Sequence, residues 1–64
     1  MPIAYLSIME GRDDAKKAEV IAAVTEALHV SLDAPYEAIR VLITEVPRTQ
    51  WGIGGKTALA LGKT

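Results

Sequence analysis

The chain has 64 residues, half of them apolar, with one tryptophan, two tyrosines, no phenylalanine and no cysteine. That length supports one domain, residues 1–64, near the size where a lone hydrophobic core is marginal, and neither disulfides nor an aromatic core can make up the deficit, which leaves self-association. A net charge of -1 without clustered Lys or Arg excludes a nucleic-acid surface and a polybasic membrane patch, and leaves small solutes as partners.

Residues Pro2 to Met9 are rich in Ile, Leu and Tyr with apolar residues on both faces, the pattern of a strand covered on both sides. Nothing before them resembles the basic region and cleavage site of a signal peptide, and no apolar run approaches the roughly 20 residues of a membrane span, so a soluble, cytoplasmic protein is expected. Glu10-Gly11-Arg12 ends the strand. Asp13 then offers an N-cap and Asp14 a second negative charge at the positive end of a helix dipole, and no Gly or Pro follows until Pro35. Val20, Ile21, Val24, Ala27, Leu28 and Leu32 recur at the helical period, which turns Lys16, Lys17, Glu19 and Glu26 towards solvent.

Asp33-Ala34-Pro35 breaks the helix, because proline disfavours helical geometry at the residue before it. Ile39 to Val46 is a second β-branched strand, apolar on both faces, so the order strand, helix, strand predicts a βαβ unit with parallel strands and a right-handed crossover. Pro47 stops that strand. Trp51-Gly52-Ile53-Gly54-Gly55 reads as a tight hairpin or bulged turn, and Thr57 to Gly62 as a short apolar tail suited to packing on a neighbour.

The chemistry starts from Pro2. Removing Met1 would leave a secondary amine at the head of a strand, whereas a retained Met1 turns that nitrogen into an amide with no basic lone pair. Parallel strands set Pro2 and Arg40 at the same end of the sheet. Arg40 lies inside an apolar strand, where a charge needs a partner; its purely structural alternative is an ion pair to Glu45, or to Glu37 of a neighbour. Arg12 sits at the far end of the first strand, some 30 Å from its own Pro2 at about 3.3 Å per residue, so a site using both would span subunits. Its positive charge beside a helix start is electrostatically unfavourable, which favours a ligand-facing role. Trp51 suits a pocket wall or an interface plug.

A single His and no Cys give no metal constellation, so His29 carries no chemistry. Gly54-Gly55-Lys56-Thr57 and Gly62-Lys63-Thr64 have Gln50 and Thr57 where a phosphate loop needs its earlier glycine, so nucleotide binding is excluded.

Taken together, the proline after Met1, Glu10-Gly11-Arg12, Leu32-Asp33-Ala34-Pro35, Ile39-Arg40-Val41, Ile43-Thr44-Glu45 and Trp51-Gly52-Ile53-Gly54-Gly55 resemble, in order and spacing across nearly the whole chain, the short-chain tautomerases of the 4-oxalocrotonate tautomerase type. That resemblance implies the tautomerase (MIF-like) fold and a cofactor-free isomerase of aromatic-hydrocarbon catabolism, which turns unsaturated acids such as 2-hydroxymuconate into 2-oxo-3-hexenedioate. It also implies a homohexamer built as a trimer of dimers. By position, Pro2 would be general base and acid, Arg12 and Arg40 would hold the carboxylate and 2-oxo groups, and Trp51 would line the pocket, with Met9 and Ile53 adding apolar wall. Arginine suits both supporting roles, because its planar fork binds carboxylate bidentately and stays charged as an oxyanion develops.

The chain departs from the family pattern at Trp51, where phenylalanine is usual, at Lys56, where an acidic residue is common, and in the loop Pro47-Arg48-Thr49-Gln50. Arg48 and Lys56 offer a positive rim there. Two alternatives stand beside tautomerisation: a relative that uses the same proline to hydrate, dehalogenate or decarboxylate, and a non-catalytic oligomeric binding module if Met1 is retained. The first would want a further acidic residue to activate water, and none is placed near the Pro2 end.

Overall fold

The computed structural model describes residues 1–63; Thr64, the last residue of the rejected Gly62-Lys63-Thr64 motif, lies outside the described residues. Strand β1 (Ile3–Met9) is followed by helix α1 (Asp14–Leu32), a 3₁₀ turn at Tyr36–Ala38, strand β2 (Arg40–Val46), a second 3₁₀ turn at Arg48–Gln50, and a hairpin of β3 (Gly52–Ile53) and β4 (Lys56–Thr57). β1 and β2 pair in parallel, from Ile3 opposite Arg40 to Met9 opposite Val46, as the βαβ reading requires.

Asp13 caps α1 as its sequence suggests, accepting a hydrogen bond from the Lys16 backbone N–H at 2.9 Å. At the other end Asp33 adopts the left-handed conformation, φ 54°, that commonly closes a helix. The short segment after it is held back against α1. The Tyr36 ring stacks on His29 with centroids 3.8 Å apart. Its hydroxyl donates to Glu26 at 2.7 Å, and His29 Nδ1 donates to the Ala34 carbonyl at 2.7 Å. The Glu26 carboxylate raises the Tyr36 pKa, since it favours the protonated phenol. His29 is thus a clasp at the helix end.

The two faces of the β1–β2 ribbon fare differently. Ala4, Leu6 and Ile8 of β1, with Val41 and Ile43 of β2, form the half-buried face. On the other face Ile3 (47 % exposed), Tyr5 (76 %) and Leu42 (47 %) are open. The expectation that both strands are covered on both sides is therefore not met within one chain, because one helix supplies only one covering layer. The same shortage leaves Ile21 and Leu32 of α1 exposed, although the helical period assigned them to burial. Lys17, assigned to solvent, instead reaches over β2 and pairs with Glu45 at 2.9 Å, and with Asp14 at 3.3 Å.

The hairpin turns on Gly54 (φ 59°) and Gly55 (φ 89°), which supply the two successive positive φ angles of a two-residue type I′ connection. Its base is tied down by Ala58 N–H to the Trp51 carbonyl at 2.8 Å and Leu59 N–H to the Arg48 carbonyl at 3.2 Å. Among the described residues only Ile39 and Ala58 are buried apolar side chains. No helix among the described residues is long and apolar enough to cross a membrane.

Candidate active site

The residues singled out by sequence fall into two groups at opposite ends of the ribbon. At its leading end, the Pro2 carbonyl accepts the Arg40 backbone N–H at 3.0 Å, so the ladder itself brings the proline alongside the arginine. Met1 lies outside β1 and is 77 % exposed. The Arg40 guanidinium donates through Nη1 to the carbonyls of Glu37 (2.6 Å) and Ile39 (3.3 Å), which anchors it over the end of the 3₁₀ turn. It pairs with no carboxylate among the described residues, Glu45 being engaged by Lys17. A guanidinium has five N–H donors, so the anchored side chain keeps donors for a ligand. Within the described residues Arg40 makes no ion pair to Glu37 or Glu45; the alternative of a pair to a neighbouring chain concerns the assembly.

The trailing end holds the second group. Met9, opposite Val46, closes the ladder, and Glu10 N–H donates to the Val46 carbonyl at 3.0 Å, which sets Glu10-Gly11-Arg12 beside the point where Pro47 turns the chain out of β2. Arg12 and Arg48 both line an open cavity of about 390 Å³ there, with Glu10 and Gly11. Arg12 makes one long contact, Nη1 to the Met9 carbonyl at 3.4 Å. Trp51 is half-buried at the base of the hairpin and Ile53 is exposed in β3. Neither of them, nor Met9, lines that cavity. Arg48 is the residue that sequence reading left at the rim and the fold brings to Arg12. Its signal was Pro47, which ends β2 level with the end of β1.

One chain therefore carries Pro2 and an anchored guanidinium at one end of the ribbon, and two arginines lining a cavity at the other. The family model described as "Tautomerase enzyme" matches residues 2–59, and the chain belongs to that family and is an isomerase. It is 51 % identical to a 2-hydroxymuconate tautomerase of Stutzerimonas stutzeri over 63 residues, 98 % of this chain and 100 % of that one. It is 52 % identical to a Pseudomonas putida enzyme of the same name over the same shares. Among solved structures, the 4-oxalocrotonate tautomerase isozymes from Methylibium petroleiphilum match with a TM-score of 0.93 at 45 % identity, covering 97 % of this chain and 100 % of that chain. A heterohexamer 4-oxalocrotonate tautomerase from Chloroflexus aurantiacus J-10-fl matches with a TM-score of 0.91 at 34 % identity, covering 95 % and 98 %.

Proposed function

We propose that this tautomerase moves a proton within an unsaturated 2-hydroxy or 2-oxo acid of the 2-hydroxymuconate type, with the Pro2 amine, freed by removal of Met1, as base and then acid. The observation that carries this reading is the pairing of Pro2 with Arg40 at the head of the sheet, with Met1 exposed beyond it. The neutral amine takes up the proton that the dienol releases and returns one to carbon. Arg40 stabilises the negative charge on the 2-oxygen as it develops, and Arg12 receives a carboxylate. Trp51, Met9 and Ile53 supply apolar wall, which strengthens those charged contacts by lowering the local dielectric. No cofactor takes part.

Since Pro2 and Arg12 of one chain lie some 30 Å apart, the site forms where chains meet. The open ribbon face supports a homo-oligomer, and the resemblance and the hexameric relative support a hexamer. We place the enzyme in the cytoplasm, acting on acids released in aromatic-compound breakdown.

An α-amino group titrates near 7.7 to 8.0, a proline's secondary amine is intrinsically more basic, and neighbouring guanidinium groups and apolar wall push it down. The sign follows: a base must be neutral, so the rate should rise with pH through a pKa in the neutral range and then level. Rate–pH profiles of the processed protein, a Met1-retaining form and Pro2→Ala should show that limb in the first and none in the second. Pro2→Ala keeps a primary amine and should retain weak activity. Equal activity in the processed and Met1-retaining forms rules out the proline amine.

A further inference from the structure

The cavity at the trailing end of the ribbon holds two arginines where the reading above uses one. Arg48 sits at the first position of its 3₁₀ turn, with its backbone fixed by the Leu59 N–H that its carbonyl accepts at 3.2 Å. Its side chain makes no hydrogen bond or ion pair among the described residues, although it is partly shielded by its surroundings. Among the described residues Arg12 makes only its long contact to the Met9 carbonyl. Glu10 also lines the cavity, yet it lies within ion-pair distance of neither arginine.

Two like charges in one cavity repel, and an anion seated between them removes that cost while gaining two forked, charge-assisted contacts. A carboxylate offers four lone-pair sites, enough for both forks. The cavity, about 390 Å³ and open, lies within the size range of small-molecule sites. Resting on the assignment of Arg12 to a substrate carboxylate, we propose that Arg48 is a second binding residue for that same carboxylate, and that the Arg12–Arg48 pair makes the enzyme select dicarboxylates over monocarboxylates. Arg48 acts on substrate choice and binding, at a distance from the proton transfer at Pro2.

The test uses a non-reacting pair of six-carbon acids, so that it reads the cavity without turnover. Adipate and hexanoate are titrated into the processed oligomer by calorimetry at low ionic strength, with Arg48→Ala, Arg48→Lys and Arg12→Ala, and with Lys16→Ala as a charge-matched control on the exposed side of α1, outside the cavity lining. Wild type should prefer adipate. Arg48→Ala should reduce that preference by about tenfold, the scale of one charge-assisted contact. Arg48→Lys should restore part of it, since it returns the charge without the fork. In an Arg12→Ala background the further loss from Arg48→Ala should shrink, because the two act on one carboxylate. A wild type without adipate preference, equal weakening of both acids in Arg48→Ala, or a loss no greater than in Lys16→Ala overturns the proposal. These outcomes are separate from the proton-transfer reading, which stands or falls on the Met1-retaining form.

Discussion

Arg40 begins β2 with its main chain, bonded to Pro2, and leaves its guanidinium anchored on two carbonyls of the preceding turn. An anchored cation costs little to reorient when charge develops nearby, which is the condition for large electrostatic stabilisation. Replacing Arg40 by Ala should therefore lower kcat by about 10² to 10³, the loss typical of removing one preorganised oxyanion donor. Arg40→Lys should recover only part, for want of the fork. Steady-state rates on 2-hydroxymuconate check this, and a kcat within threefold of wild type in Arg40→Ala would remove the residue from the chemistry. Pro2 and Arg40 were legible in the sequence because each breaks a local rule: a proline at the head of a strand, and a charge inside an apolar run. Arg48 breaks no such rule, and only its meeting with Arg12 across the strand ends marks it.

Helix α1 is coupled to the sheet through Lys17 and Glu45, at 2.9 Å, as well as through apolar contact. The hydrogen bond to Glu45, followed by that to Asp14, raises the Lys17 pKa above its ordinary 10.5. A raised lysine pKa means that the native state holds this proton more tightly than the unfolded chain. The contribution to stability is thus fully present below the ordinary value and is lost as pH rises through the native one. Lys17→Met should melt slightly below wild type at pH 7 to 9, by the small amount expected of an exposed pair, and the gap should close above pH about 10.5. Thermal melts at fixed protein concentration read this directly. A gap that persists unchanged at high pH would show that the lysine stem, packed along the ribbon, matters more than its charge. The helical period placed Lys17 with solvent because periodicity ranks faces by polarity, and it cannot register that a carboxylate on β2 stands within reach.

A lone chain is short of cover. Its accessible surface is 4623 Å², against about 4000 Å² expected for a folded monomer of this mass. Its radius of gyration of 14.5 Å exceeds the roughly 11 Å of a compact domain of equal length. With extents of 42 × 24 × 14 Å it is a slab whose outer ribbon face presents Ile3, Tyr5 and Leu42. Burial of that face against further copies is the expected source of stability, so light scattering at micromolar concentration should give a multiple of the 6.9 kDa chain mass, with six the expected number. Tyr5→Glu should weaken the assembly, and activity should fall with it if Pro2 and Arg12 of different chains complete the site. A stable, active monomer would contradict both.

The sequence by itself determined the elements and their order. The Asp13 cap, the stop at Asp33-Ala34-Pro35, the β-branched second strand and the paired glycines of the hairpin are each local choices with one favoured backbone answer, and parallel pairing follows once a long helix separates two strands. It also placed Pro2 with Arg40 and parted them from Arg12, since strand rise alone fixes those distances. Tertiary structure decided what depends on neighbours distant in sequence. It gave Lys17 to Glu45, made His29 a clasp for Tyr36, left one ribbon face bare, and put Arg48 and Arg12 in the lining of one cavity. Such pairings are set by how the strand ends and the loop after Pro47 come together in space, and no period or propensity along the chain encodes them.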